Sequence, residues 1–320
     1  MTSLWPSFSR RDDEMVSHGS RKPSAQMMRR AVSKPLSVKL GSCMLRFDRP
    51  KVMGIVNNTP DSFSGDGLGG DCALAIERGK AMLEAGAAVV DIGGESTRPG
   101  ADPVPLELEK KRTVPVVEAL SASYPGRISI DTMKPDVAQA ALLAGAVMVN
   151  DVTGLRNPRM IDVVVEHDAA VVIMHMLAGP KTMQVRPRYK DVVKDIAAFL
   201  EDRVAAAERA GVGARKIMVD PGIGFGKNLN HNLEVLARLR ELKSIGKPVV
   251  IGVSRKSFIG RITGMPPGER LEGSLAAAVL AVREGADMVR VHDVPETIRA
   301  LDVADAILVE SRKRAKSQGI

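Results

Sequence analysis

Eight short apolar segments of this 320-residue chain each end in a polar or ionisable side chain. Carboxylates, amides and cations of this kind can bind a ligand that is rich in hydrogen-bond donors and acceptors. Solvation of a segment end explains any one of them equally well, but a polar group after every segment indicates a common site. In chain order the groups are Asn57, Asp91 with Glu95, Asp131, Asn150 with Asp151, His175, Asp220, Ser254 with Lys256, and Arg290 with His292.

Several of the cations could bind a diphosphate. Lys256 lies just beyond the seventh segment, and Arg290 and His292 are two residues apart, so that they project to the same side of a strand. Arg98, preceded by Thr97, lies in a loop rich in glycine and proline, where it can hold a phosphate by paired hydrogen bonds. Alternatively, Arg98 is a solvated side chain in a Pro-Gly turn, and His292 is an ordinary structural histidine.

The spacing of the metal-binding residue types favours a hard cation over zinc. Neither His175 nor His231 has a second histidine or a cysteine at ligand spacing, and the carboxylates are spread along the chain. We therefore expect Mg²⁺, held by one protein oxygen and by substrate phosphates. The sequence shows no Ser/His/Asp pattern that singles out a nucleophile.

Residues 220–228, DPGIGFGKN, are glycine-rich but lack the G-K-[ST] ending of a nucleotide phosphate loop. The glycines let the backbone approach a flat ligand, with Phe225 as one wall of the site. Met174 and Met176 are typical of core filling, although one of them could line an apolar slot.

Strand patterns alternate with helix patterns along the chain and predict the scaffold. Such alternation demands parallel strands with right-handed crossovers. Eight units in about 270 residues fit a closed (β/α)8 TIM barrel, which typically takes about 250 residues and has its active site at the carboxyl ends of the strands. A doubly wound sheet is the competitor, but no G-x-G-x-x-G follows the first strand. The predicted strands are 52–57, 88–93, 128–131, 148–152, 170–175, 217–221, 248–254 and 288–292, and the predicted helices include 71–86, 105–122, 134–144, 190–210, 228–243, 270–284 and 295–309.

The net charge of +8 comes from the two ends of the chain. Residues 1–40 contribute +5 and residues 311–320 contribute +4, which leaves −1 for residues 41–310. We predict a disordered basic extension over 1–40, the barrel over 45–310 and a basic tail over 311–320. A nearly neutral barrel with 3% aromatic residues argues against nucleic-acid binding, and RNA binding through the basic ends would rest on charge alone.

Membrane insertion and secretion find no support in the sequence. It contains no run of about 18 apolar residues, and its first residues lack the apolar stretch of a secretory signal. Cys43 and Cys72 make neither a disulfide framework nor a metal cluster. We expect a soluble protein of the reducing cytoplasm.

Eight motifs in this order resemble the dihydropteroate synthase family, over about residues 45–305. They read MGIVNNTPDSF, DIGGESTRPGA, SIDT, AGAVMVNDVTG, MHM followed by PKTMQ, DPGIGFGKN, GVSRKSFIG and RVHDV. The resemblance implies a transferase of folate biosynthesis that joins (7,8-dihydropterin-6-yl)methyl diphosphate to 4-aminobenzoate. It also implies a homodimer, and the apolar positions Ala276, Ala277, Leu280, Val303 and Ile307 on the last two predicted helices are compatible with that.

The resemblance carries residue roles over position by position. It assigns Mg²⁺ to Asn57; the pterin to Asp131, Asn150, Asp220 and Lys256, supported by Asp91; the diphosphate to Thr97, Arg98, Arg290 and His292; and the aminobenzoate to Ser254 and Phe225. Met174 is added to the substrate-binding residues as the candidate for the apolar slot. The expected catalytic residues are Arg98, Lys256, Arg290 and His292.

Two departures from the family pattern leave alternatives open. Asn58 stands where the family usually has valine, and S-G-D-G replaces S-D-G-G, which displaces Asp66 by one position. A paralogue that binds pterin with weak or no turnover would explain these changes. A methyltransferase that binds methyltetrahydrofolate would share the pterin residues but would have no use for the diphosphate cations.

Overall fold

A computed structural model of the chain describes residues 36–59, 69–97, 101–177, 179, 183–184 and 186–317, and these belong to one compact unit. Most of the predicted extension and residues 318–320 of the predicted tail lie outside this range. Among the described residues, no helix combines the length and the apolar character needed to cross a membrane.

An antiparallel hairpin, β1 (Ser37–Leu40) and β2 (Cys43–Arg46), precedes the barrel. Val38 and Leu40 are buried with Phe47 against the first interior side chains of the barrel strands. The prediction of disorder over 1–40 is therefore wrong for Ser37–Leu40. These four residues are too few to show a period, and they are ordered by an apolar surface that the rest of the chain supplies.

Eight parallel strands form the predicted barrel, each hydrogen-bonded to its neighbours in chain order. The ring is closed by a parallel bridge between Val219 and Val249, where the Val219 N–H donates to the Pro248 carbonyl oxygen at 3.0 Å. The TIM-barrel prediction is confirmed. The strands are β3 (Lys51–Asn57), β4 (Val89–Gly93), β5 (Ile128–Asp131), β6 (Met148–Asp151), β7 (Ala170–Met174), β8 (Ile217–Asp220), β9 (Val250–Gly252) and β10 (Met288–Val291).

Helices surround the barrel, and all seven predicted helical stretches are present. They are α1 (Cys72–Glu84), α2 (Leu106–Ser123), α3 (Pro135–Leu143), α5 (Val192–Arg209), α6 (Leu229–Ala237), α8 (Leu271–Arg283) and α9 (Val294–Ser317). Two further helices, α4 (Pro158–Glu166) and α7 (Ser257–Thr263), are not among the predicted stretches, although α4 is as long as α3 and α6. The predicted helix 228–243 is divided into α6 and the 3₁₀ helix Leu239–Ile245, and α9 continues into the predicted tail.

The side chains of each barrel strand alternate between the barrel interior and the surrounding helices. In β4, Val89 packs in the interior cluster and Val90 in the outer one. Met288 and Val289 divide in the same way in β10. The interior side chains at the amino-terminal ends of the strands therefore form an apolar layer, and the next interior position of each strand lies above it. That upper layer is the floor of the site.

Candidate active site

A cavity of about 450 Å³ lies at the carboxyl ends of the barrel strands. Its lining comes from several strands and the loops that follow them, as a barrel active site requires. Eight of the predicted site residues line it: Asn57, Thr97, Asp131, Phe225, Ser254, Lys256, Arg290 and His292. Arg98 and the loop with the displaced Asp66 lie outside the described residues.

Arg290 bridges two carboxylates at the floor of the cavity. Its Nε donates to Asp91 Oδ2 at 2.6 Å, and its Nη2 donates to Asp131 Oδ2 at 2.7 Å. Asn150 Nδ2 also donates to Asp91 Oδ2, at 2.8 Å. Four predicted residues from β4, β5, β6 and β10 thus form one hydrogen-bonded group. In this arrangement the Arg290 guanidinium binds two carboxylates, whereas the sequence pattern predicts that it binds a diphosphate.

Each of the two carboxylates keeps one buried oxygen for a further partner. Asp91 Oδ1 and Asp131 Oδ1 are both buried and accept no hydrogen bond from any described residue. A buried acceptor without a donor is costly, so such atoms commonly mark a place where a ligand or water binds. The partners that these oxygens require are N–H or O–H donors.

Burial shifts the ionisation of these groups. It raises the pKa of Asp131 to about 7; Arg290 opposes the shift and the negative charge of Asp91 adds to it. Burial by itself would lower the pKa of Arg290, but Asp91 and Asp131 outweigh it and raise that pKa. Burial also raises the pKa of Asp220. Two factors oppose this shift: the Gly222 N–H, which donates to Asp220 Oδ1 at 2.6 Å, and the positive charge of Lys256.

The glycine-rich segment after β8 forms one wall of the cavity. Gly222, Gly224 and Gly226 all adopt positive φ angles, of 70°, 85° and 63°. Phe225 lies between the last two, and Lys256 Nζ is 4.4 Å from the centre of its ring, within the range of a cation–π contact. The segment therefore supplies the flat wall that the sequence predicts, together with a cation above it.

Met174 lies beside the Phe225 wall. It is 4% exposed and packs with Val152, Met176 and Met183 in a small cluster, against which Phe225 rests. The described residues that line the cavity include Met183 and Phe225. Met174 is not among them, and neither are the buried Asp91, Asn150 and Asp220. Met174 thus supports the Phe225 wall.

The ends of β9 and β10 are joined by a side-chain contact. Ser254 Oγ and His292 Nδ1 are 2.9 Å apart. The neighbouring Arg255 has a φ of 56°, and its guanidinium donates to both carboxylate oxygens of Asp293, at 2.5 and 3.1 Å. The two adjacent cations thus diverge, since Lys256 lies over the Phe225 ring.

A buried charge network that the sequence does not reveal supports the loop after β4. Lys134 is paired with Glu95, which lines the cavity, and with Glu109 Oε2 at 2.5 Å. Glu95 Oε1 also accepts from the Val104 N–H at 3.2 Å, and so links the two ends of the loop that carries Thr97. Burial raises the pKa of Glu109. Glu109 and Lys134 lie on helix-forming stretches, where a charged residue usually indicates a solvated face.

Asp151 stabilises the fold. Its carboxylate accepts the backbone N–H groups of Thr153 at 2.8 Å and Leu155 at 2.9 Å, and so stabilises the turn after β6. Asn58 is fully buried, and its Nδ2 donates to the Arg112 carbonyl oxygen at 2.9 Å. Asn58, which stands where the family usually has valine, therefore links the end of β3 to α2.

Comparison with known proteins agrees with the geometry. The family described as "Pterin binding enzyme" matches residues 53–292. Dihydropteroate synthase of Escherichia coli (strain K12) is 45% identical over 264 residues, which are 82% of this chain and 94% of that protein. This chain belongs to the dihydropteroate synthase family.

Solved structures of dihydropteroate synthases share the fold over most of the chain. The Burkholderia cenocepacia enzyme complexed with 7,8-dihydropteroate has a TM-score of 0.79 and 45% identity, covering 87% of this chain and 99% of that one. The Xanthomonas albilineans enzyme with 4-aminobenzoic acid has a TM-score of 0.78 and 45% identity, covering 86% and 98%.

The coupling of the two carboxylates makes a prediction about ionisation. In an Asp91→Asn variant the pKa of Asp131 falls below its value of about 7, because a negative neighbour is removed. In an Arg290→Met variant it rises, because the compensating cation is lost. A ¹³C carboxyl NMR titration, with the Asp131 signal assigned from Asp131→Asn, measures both.

Asp162→Asn, a change at an exposed aspartate on α4, is the matched control and leaves the titration of Asp131 unchanged. If the pKa of Asp131 shifted in the same direction in the Asp91→Asn and Arg290→Met variants, the arrangement described for the cavity floor would be contradicted.

Proposed function

We infer that this chain is a dihydropteroate synthase, a transferase that joins (7,8-dihydropterin-6-yl)methyl diphosphate to 4-aminobenzoate and releases diphosphate. The observation that carries the inference is the pair of buried, unpartnered carboxylate oxygens on Asp91 and Asp131, next to Asn150 and below a rim with Lys256 and His292. A ligand with N–H donors at one end and negative charge at the other matches both features.

The pterin edge fits the floor of the cavity. A pterin presents adjacent amide and amine groups, which carboxylate and amide side chains can match with paired hydrogen bonds. Asp131, Asn150 and Asp220 supply such groups from β5, β6 and β8, and Asp91 holds Asn150 in place through its hydrogen bond. The pKa of Asp131, raised to about 7, allows its carboxyl group to accept or donate a hydrogen bond near neutral pH, and burial also raises the pKa of Asp220.

The diphosphate is proposed to bind to Thr97, Arg290 and His292 and also, by the family resemblance, to Arg98, which lies outside the described residues. Support comes from Thr97, Arg290 and His292, which line the cavity together. When the pterin edge occupies the carboxylates, Arg290 can exchange one of its two carboxylate contacts for a phosphate oxygen within the same cavity. Its bridging position thus gives it a part in both subsites.

Mg²⁺ fits the oxygen chemistry at the end of β3. Asn57 lines the cavity with an amide oxygen, a ligand type that hard cations accept. Over the described part of the chain, no three His, Cys, Asp or Glu side chains are grouped closely enough to hold a metal by themselves, so substrate phosphates would complete the coordination. When bound, Mg²⁺ neutralises charge on the leaving diphosphate.

The transfer needs positioning and leaving-group stabilisation more than a strong base. The bond from the methylene carbon to the diphosphate oxygen breaks, and the electron-rich ring stabilises positive charge on that carbon. The amine nitrogen then forms the new bond and loses its proton to solvent. Because an arylamine is neutral at pH 7, its lone pair is available, and the work of the protein is to orient it and to neutralise the diphosphate.

The aminobenzoate ring is proposed to lie against Phe225, near Ser254 and Lys256. These three residues line the cavity, and Lys256 Nζ over the Phe225 ring brings a positive charge to that wall. A flat, anionic ring can stack on the phenylalanine while its carboxylate lies near the cation.

A homodimer and a cytoplasmic location complete the proposal. Leu280 on α8 and Val303 and Ile307 on α9 are 57%, 63% and 62% exposed, and the two helices are in contact, which makes an apolar surface that a second copy can cover. The reducing cytoplasm suits a chain whose two cysteines are both free.

The decisive assay measures diphosphate release with both substrates and Mg²⁺. We expect release that requires both substrates, that a chelator abolishes and that added Mg²⁺ restores. Pterin binding without release at saturating substrate would favour the non-catalytic paralogue, and methyl transfer from methyltetrahydrofolate would favour the methyltransferase.

Arg98→Ala tests the diphosphate assignment. Because this guanidinium is proposed to act on charge that develops as the diphosphate leaves, kcat falls by about 100-fold or more, while the Kd of the pterin substrate rises by less than about tenfold. Single-turnover kinetics and calorimetric binding measure the two effects, with Arg159→Ala, at an exposed arginine on α4, as the control. An equal loss in both quantities would refute the assignment.

The double variant Leu280→Glu, Val303→Glu tests the homodimer. Light scattering of the unmodified chain gives twice the 34.2 kDa chain mass, and that of the variant gives the monomer mass, because two carboxylates would be buried in the interface. Val165→Glu on α4, a 37% exposed position, leaves the dimer intact. A monomeric unmodified chain would overturn this part of the proposal.

A further inference from the structure

Lys227, the residue that follows the last glycine of the 220–228 segment, is buried behind the Phe225 wall. It is 3% exposed. Its Nζ donates to the Gly222 carbonyl oxygen at 2.9 Å and to the Phe225 carbonyl oxygen at 3.0 Å, and it lies 3.1 Å from His175 Nδ1. An ammonium group has three N–H donors, and these three acceptors use all of them.

His175 is suited to accept the third of these hydrogen bonds. Burial lowers its pKa to about 2, and the positive charges of Lys227 and Arg156 act in the same direction, so the imidazole is neutral. A neutral imidazole can present a lone pair on Nδ1. The pKa of Lys227 is itself lowered to about 7, by burial, while the charge of Asp220 opposes that shift.

The position of Lys227 distinguishes it from Lys256. Among the described residues that line the cavity, Lys256 is present and Lys227 is not. Lys227 therefore acts on the backbone of the loop rather than on a ligand. The two carbonyl groups that it holds flank the turn in which the Phe225 N–H donates to the Gly222 carbonyl oxygen at 3.1 Å.

The loop between β8 and α6 has no regular structure and depends on side chains for its shape. At Gly222 a Cβ atom would overlap the carbonyl oxygen of His175, which shows how closely the two segments pack. The Tyr189 hydroxyl donates to the Gly226 carbonyl oxygen at 2.7 Å, and Asn232 Oδ1 accepts from the Gly224 N–H at 2.7 Å. Buried backbone groups without such partners would destabilise this conformation.

We propose that Lys227, supported by His175, is a positioning residue that fixes residues 222–225 and thereby the Phe225 wall against which the aminobenzoate binds. The inference rests on the proposed function for the identity of the second substrate. Of the residues proposed for the pterin, Asp131 and Asn150, with Asp91 behind them, have no hydrogen bond to Lys227, whereas Asp220 is linked to the same segment through the Gly222 N–H. The effect of Lys227 is therefore expected to be larger on the Phe225 wall than on the pterin floor.

Lys227→Met tests the proposal, because methionine keeps most of the length of the side chain and removes its donors. The KM for 4-aminobenzoate rises about tenfold or more, since both carbonyl groups lose the Lys227 donor, the Gly222 carbonyl keeps only the Phe225 N–H, and the wall shifts. The Kd of the pterin diphosphate, measured by calorimetry, changes by less than about threefold.

The chain offers a matched control at the other end of the same strand. Lys216, just before β8, is 5% exposed and is paired with Asp168 Oδ1 at 2.6 Å. Lys216→Met removes an equally buried ammonium far from Phe225, so both substrate constants stay within about twofold of the unmodified protein while the melting temperature falls.

A second variant keeps the test valid if Lys227→Met fails to fold. Tyr189→Phe removes only the hydroxyl that donates to Gly226, and it raises the KM for 4-aminobenzoate about two- to tenfold with unchanged pterin binding. Equal loss of both substrates in either variant, or no change in both, would overturn the positioning role.

Hydrogen–deuterium exchange separates this proposal from the proposed function. In Lys227→Met the amides of Gly224 and Phe225 exchange faster than in the unmodified chain, whether or not the protein turns over. Unchanged exchange overturns the positioning role. Faster exchange in a chain that releases no diphosphate supports the role of Lys227 in the loop and overturns the assignment of the reaction.

Discussion

The burial of charge inside the upper part of the barrel is the constraint on which the site depends. Asp91 is fully buried, and a carboxylate in that position requires a cation and donors close by. Arg290 and Asn150 satisfy one of its oxygens, and Arg290 reaches Asp131 as well. The other oxygen of each carboxylate is left for a ligand, so the interactions that hold the floor together also define what can bind there.

The same constraint applies to the loops around the floor. The floor carboxylates keep one oxygen for a ligand only if the neighbouring protein donors stay where they are. Lys134 fixes the loop after β4 through two glutamates, and Lys227 fixes the loop after β8 through two carbonyl groups. In each case a lysine, half-buried at Lys134 and buried at Lys227, holds a loop, and residues on the cavity side of the loop can contact substrate.

Periodicity and residue type predicted the scaffold because both follow from local physics. Apolar β-branched runs and helical spacing identify strands and helices wherever one face is buried, and strict alternation leaves only parallel topologies. The same alternation placed Arg290 and His292 on one side of β10, and both line the cavity. Strand β1 (Ser37–Leu40) could not be predicted in this way, since its apolar side chains are ordered by contact with the amino-terminal end of the barrel.

By itself the sequence determined the barrel, the end of the barrel that holds the site, the family and eight of the residues that line the cavity, because each of these follows from the order and spacing of residues. Tertiary structure alone decided which charges meet. Arg290 lies 199 positions from Asp91 and 159 from Asp131, yet it bonds to both. The tertiary structure also decided that Met174 packs beside Phe225 and that Lys227 is buried. Partner choice depends on distance and exclusion of water in the closed barrel, and neither quantity can be read from a linear pattern.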